Sequence, residues 1–113
     1  MKARSVADAL DRAATGLEPE GAWIQEDFAR AADQEPLAMG YDPKATCWCV
    51  MGALEKALGG VRSFTDLAPH CEALERTLGV DSITTWNDAP ERTQAEVVAR
   101  LREAAAKARE QEA

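Results

Sequence analysis

Long apolar runs are missing from this sequence, so no stretch of it is suited to spanning a bilayer and no membrane partner is expected. Clusters of β-branched residues are scarce as well, which argues against a sheet-rich architecture. Basic charge is in deficit, with 13 Lys and Arg against 20 Asp and Glu and a formal net charge of −7. A chain of that sign is repelled by phosphate backbones, which argues against direct nucleic-acid binding. The cysteines number three and cannot all pair within one chain, and Met1-Lys2-Ala3-Arg4 leads into an amphipathic pattern instead of a signal-peptide apolar region. The reducing cytoplasm is therefore the expected location. No repeat of solenoid length occurs, and the charged tail is too short to form a separate disordered region.

What is present suffices for one core. A chain of 113 residues with 46% hydrophobic residues makes a single domain over residues 1–113, fraying at its polar end from Arg109 to Ala113. Its densest apolar stretch is Ala45-Thr46-Cys47-Trp48-Cys49-Val50-Met51-Gly52-Ala53-Leu54. Asp42 can cap a first turn, Pro43 suits the first helical position and Gly59-Gly60 ends the pattern, so the expectation is a central helix of about four turns over residues 42–59. Cys47, Val50, Met51, Leu54 and Leu58 would form one face. Thr46, Cys49, Gly52 and Ala53 would form a smaller-grained one, against which a neighbouring helix approaches closely.

Other helices follow from stripes and caps. Ser5-x-x-Asp8 and Gly16 bracket a first helix over residues 5–15 that buries Val6, Ala9, Leu10 and Ala13. Trp23, Ile24, Phe28, Ala31 and Ala32 fit a short helix, although Ala22-Trp23-Ile24-Gln25 fits an extended segment equally well. Residues 33–41, with Pro36 and Gly40, read as a loop. Ser63, Phe64, Thr65 and Asp66 offer caps for a helix carrying Leu67, Cys71, Leu74 and Leu78, in which Pro69 is acceptable only within the first turn. Ile83 to Asp88 make a short turn, and Thr93-Gln94-Ala95-Glu96 is a capping box for a last helix burying Val97, Val98, Leu101, Ala104, Ala105 and Ala108. The fold expected is all-α: four main helices bundled around the buried central one, with one or two short extra turns.

Cys47-Trp48-Cys49 with Val50-Met51-Gly52-Ala53-Leu54, Trp86-Asn87-Asp88 and the run Arg92 to Val98 resemble a family of short bacterial and phage proteins classed only as a domain of unknown function. The likeness extends from Ala22-Trp23-Ile24-Gln25 onward. It implies no activity, and His70 is not part of the pattern.

Four chemistries are weighed. Cys47, placed near the positive end of the expected helix, with His70 and Asn87 or Asp88, supplies a nucleophile, a base and an orienter for a small hydrolase or transferase. A cysteine on an apolar helix is more often packing, so no catalytic set is favoured. Cys47, Cys49, His70 and Cys71 are suitable zinc-ligand types, but residues two apart on a helix diverge, and no metal or cofactor is expected. Trp48 and Trp86 can floor a ligand pocket with Asn87 and Asp88 as its polar groups, or else Trp86 fills the core while Asn87 and Asp88 cap the following turns. The fourth reading fits a small acidic chain without a catalytic constellation: a non-catalytic binding or regulatory protein. Glu26, Asp27, Met39 and Tyr41 would then face a protein partner, with a basic or nucleic-acid-binding one suited to the charge, and a phage-encoded inhibitor of a host protein is one form this could take.

Overall fold

The computed structural model describes residues 5–60 and 64–112. The opening Met1-Lys2-Ala3-Arg4, the cap candidate Ser63 and the terminal Ala113 lie outside the described residues.

The helix α1 (Val6–Leu17) starts where its cap predicts: Ser5 is extended, and its hydroxyl accepts the Asp8 N–H at 3.0 Å. Ala7, Leu10, Ala13, Ala14 and Leu17 of this helix are buried. It lies antiparallel to the last helix, as two terminal contacts show. Glu112 accepts the Ala7 N–H at one end, and Gln94 donates to the carbonyls of Leu17 and Pro19 at the other. Alanines on both sides let the two backbones approach, while Arg102 and Arg109 reach Asp11 along the solvent edge.

The middle of the chain is not helical at its start, and the expected all-α bundle is overturned there. Strands β1 (Ala29–Ala31), β2 (Pro36–Leu37) and β3 (Ala45–Trp48) form an antiparallel sheet in the order β2-β1-β3, so the fold is mixed α/β. In β1, Ala29 pairs with Leu37 on one side and with Trp48 on the other, and the register shifts between Arg30 and Ala31. Trp23 bridges Trp48 in parallel on the far edge of β3, with Trp48 donating to Ala22 and Ile24 donating to Trp48. The short helix expected around Trp23 is therefore an extended segment, and the expected loop over residues 33–41 contains β2.

The central helix is half the expected length: α2 (Val50–Ala57), capped by Cys49 and not by Asp42. Asp42 instead closes a local turn, its carboxylate accepting the Lys44 N–H. The partner that approaches Gly52 is not a helix either. A Cβ on Gly52 would collide with the Phe28 carbonyl, and one on Gly40 with the Gly52 carbonyl, so these two glycines let the sheet and its following loop sit directly on α2.

Helix α3 (Phe64–Leu78) buries Leu67 and Leu74, and Pro69 is its sixth residue, beyond the first turn, where it takes one donor out of the helical ladder. Helix α4 (Ile83–Asn87) is capped by Ser82. Helix α5 (Gln94–Glu112) is capped by the Thr93 hydroxyl on the Glu96 N–H, while the Glu96 carboxylate turns to Arg92. Leu10, Leu17, Leu54, Leu74, Val97 and Leu101, contributed by α1, α2, α3 and α5, form the center of the core.

Candidate binding site

Asn87 organises the side of the molecule where the sheet, α2 and α4 meet. It is 1% exposed. Its Oδ1 accepts from Trp23 Nε1 at 2.8 Å and from the Val50 N–H at 3.1 Å, and its Nδ2 donates to the Ile24 carbonyl at 3.1 Å and to Asp88 Oδ1 at 3.0 Å. Every amide position is thus used, and one of the four serves a donor in the first turn of α2 that has no acceptor within its own helix. Asn87 reaches across the chain to segments more than 30 residues away, and its amide makes no capping bond to the turn that follows it.

Next to Asn87, Asp88 Oδ1 also accepts the Glu26 N–H at 2.9 Å. Glu26 has φ 76, a left-handed conformation uncommon for a side-chain-bearing residue, and this hydrogen bond holds it there. Glu26 and Asp27, read in the sequence as partner-facing, therefore meet Asn87 and Asp88, read there as pocket or cap residues. Between them lies a cleft of about 70 Å³ lined by Phe28, Met51 and Thr84, by the buried Cys49 and Asn87, and by Glu26, Asp27 and Asp88. Asp27 also holds Arg30 at 2.8 Å.

Among the described residues three large apolar ones are exposed, and one of them, Phe28, lines the cleft. Phe28, Met39 and Tyr41 are 43%, 44% and 39% exposed. Continuing the β1–β2 register sets Phe28 opposite Ala38, next to Met39. Gly40 between Met39 and Tyr41 is held on both sides: its N–H donates to Glu55 Oε1 at 3.0 Å, and its carbonyl accepts from Trp48 Nε1 at 2.7 Å. Burial raises the Glu55 pKa, opposed by the Gly40 hydrogen bond. The Tyr41 ring lies against Gly60.

The remaining residues singled out in the sequence are dispersed. Trp48 is buried, with the Lys56 ammonium 4.0 Å from its ring centroid, in a cleft lined also by Arg12 and Gly16 but not by Trp86, and Trp86 is covered by the Arg92 guanidinium at 4.2 Å. The Cys47 thiol is 4% exposed and faces the Arg30 carbonyl at 3.8 Å. His70 is buried on α3 with no hydrogen-bond partner at Nδ1, and no hydrogen bond joins it to Cys47. Because the helix starts late, the cysteine at its positive end is Cys49, whose sulfur accepts the Gly52 N–H at 3.4 Å. Burial outweighs that contact and pushes the Cys49 thiol up to about 11. Cys71 rises to about 11 as well, through burial and then the Glu75 and Glu72 charges, and its sulfur lies 3.8 Å from that of Met51. Among the described residues no group of three or more His, Cys, Asp or Glu side chains is placed to hold a metal ion, and no helix is long and apolar enough to cross a membrane.

The chain belongs to the family of unknown function DUF6197. The family model matches residues 1–107, which includes α1 as well as the sheet and the later helices. No curated protein and no solved structure matches the chain. Membership therefore brings no activity with it, and function rests on the geometry of the cleft and its surroundings.

Phe28, Met51 and Thr84 were missed as site residues in the sequence. Phe28 fits an inward helical stripe as long as its segment is read as a helix. As a residue just before β1, opposite the β2 end, it turns outward. Two- and three-residue strands leave too short an alternation to reveal this.

Proposed function

We propose that this protein is a non-catalytic binding protein that docks a basic surface of a protein partner through Phe28, Met39 and Tyr41. The observation carrying this reading is that apolar exposure and negative charge coincide. Residues 18–49 hold seven carboxylates (Glu18, Glu20, Glu26, Asp27, Asp33, Glu35 and Asp42) against Arg30 and Lys44, a net −5 within the −7 of the whole chain. Among the described residues the exposed large hydrophobic ones, Phe28, Met39 and Tyr41, belong to this same segment. Aromatic and Met anchors inside a charged rim are the usual composition of a transient interface, and the rim charge selects the partner and speeds encounter. Gly40, fixed by Glu55 and Trp48, holds the Met39 and Tyr41 loop in place before binding and so lowers the ordering cost. In a cytoplasmic setting, and if phage-encoded, such a protein would act by covering the basic patch of a host protein, including a patch that otherwise holds nucleic acid.

The test is affinity capture from the native host, comparing the wild-type chain with Phe28→Ser/Met39→Ser and with Glu26→Gln/Asp33→Asn/Glu35→Gln. Asparagine at position 33 keeps the oxygen that accepts the Glu35 N–H. A basic protein retained by the wild type and lost from both variants, at unchanged melting temperature, is the expected result. Identical retention by all three overturns the reading.

A further inference from the structure

We infer that the cleft between Glu26 and Asp88 receives one long cationic side chain, arginine or lysine, from the docked partner. This rests on the docking reading above and names the partner's chemistry at one point of it. Carboxylates alone would not mark such a place. What distinguishes it is that one cleft is lined by apolar Phe28 and Met51 as well as by Glu26, Asp27 and Asp88. Arginine and lysine carry a similar division, an apolar stem and a charged head, and they bury the stem while the head remains at the polar edge.

The charges lining the cleft favour a guest cation. Asp27 is held by Arg30, and Asp88 Oδ1 serves the Glu26 and Asn87 donors. Among the described residues no cation pairs with the Glu26 carboxylate, and with Arg30 counted the three lining carboxylates leave a net −2. Asp88 fixes the left-handed backbone of Glu26, an exposed residue that lines the cleft. The buried lining residues do not compete for the guest: the Cys49 thiol is protonated near neutral pH, and the Asn87 amide is fully hydrogen-bonded. Phe28 both lines the cleft and is one of the exposed anchors, so a partner docked on Phe28 meets the cleft directly.

The probe is Nα-acetyl-arginine methylamide, titrated into the uniformly 15N-labelled full chain and followed by amide chemical shifts, with the citrulline analogue as neutral isostere. Expected are saturating shifts at Glu26, Asp27, Thr84 and Asp88, with a dissociation constant on the order of 1–10 mM. Citrulline gives none, Glu26→Gln weakens binding about threefold, and Thr84→Phe, which fills the cleft from an exposed position, abolishes it. Shifts of equal size at Glu72, Glu75 and Glu110, or equal binding of citrulline, overturn the cleft assignment. Host capture repeated with Thr84→Phe separates the two claims. Capture retained while the wild type fails to bind arginine removes the cleft alone, whereas capture unaffected by Phe28→Ser/Met39→Ser removes the docking face.

Discussion

Replacing Asn87 by alanine tests the hub on which the candidate site is built. The substitution removes four hydrogen bonds at once, but their losses are unequal. The Val50 N–H is buried in the first turn of α2 and has no other acceptor, so stranding it costs about 1–3 kcal/mol. The Trp23 indole and the Ile24 carbonyl are half-buried and can turn to entering water, at about 0.5 kcal/mol each. With the small void left behind, the total is about 3 kcal/mol, set against about 6–15 kcal/mol for a domain of this size. Thermal unfolding should then fall by about 10–15 °C, and urea unfolding followed by tryptophan fluorescence should show the same loss, with Trp23 emission moved to the red in the folded state. The companion Asn87→Asp keeps both acceptor contacts but sets a carboxylate against Asp88, 3.0 Å from the present Nδ2. Burial and that charge raise the folded pKa of the introduced group, so its deficit relative to wild type should grow as pH rises through that pKa and shrink in acid. A loss below about 1 kcal/mol for Asn87→Ala, with Trp23 emission unchanged, would refute the hub.

Gly52→Ala should destabilise by about 3 kcal/mol or prevent folding, since its Cβ meets the Phe28 backbone, whereas Gly16→Ala, with nothing within 4 Å and a helical position in α1, should stabilise by about 0.5–1 kcal/mol; equal effects in calorimetry would contradict the close approach. Burial lowers the His70 pKa below 6.5, partly opposed by the Asp66 and Leu67 carbonyls, so the unfolded chain takes up the proton first; stability is intact above 6.5 and declines as pH falls through the lower folded value. The denaturation midpoint of wild type should therefore fall relative to that of His70→Leu from about pH 7 to about pH 5, and parallel curves would contradict the assignment. Glu55, raised from 4.5 by burial, has the opposite sign, losing stability as pH rises through its folded value, and it is common to both proteins in that comparison. With thiols raised from 9.0 to about 11, Cys49 and Cys71 should alkylate with iodoacetamide about a hundredfold more slowly in the folded chain than after denaturation; full labelling of either at the unfolded rate would contradict their burial.

What the sequence determined by itself is local. Ser5, Thr93 and the Leu67, Leu74 and Leu78 stripe place three helices, because caps and i, i+4 neighbours lie within a few residues of one another. It also placed acidic charge and exposed Met39 and Tyr41 in one stretch of chain. Only the tertiary structure decided that Ala45–Trp48 is a strand. Thr46, Cys47 and Trp48 are tolerable in either state, and the contacts that select the extended one come from Arg30 and Ala22, far along the chain. The same holds for the cleft: Glu26 and Asp88 are 62 residues apart, and nothing in either neighbourhood signals that one carboxylate will accept the other's N–H. Helical hydrogen bonds join near neighbours and so leave a periodic trace in the sequence, whereas strand pairing and a buried amide hub join distant segments and become visible only once the chain has folded.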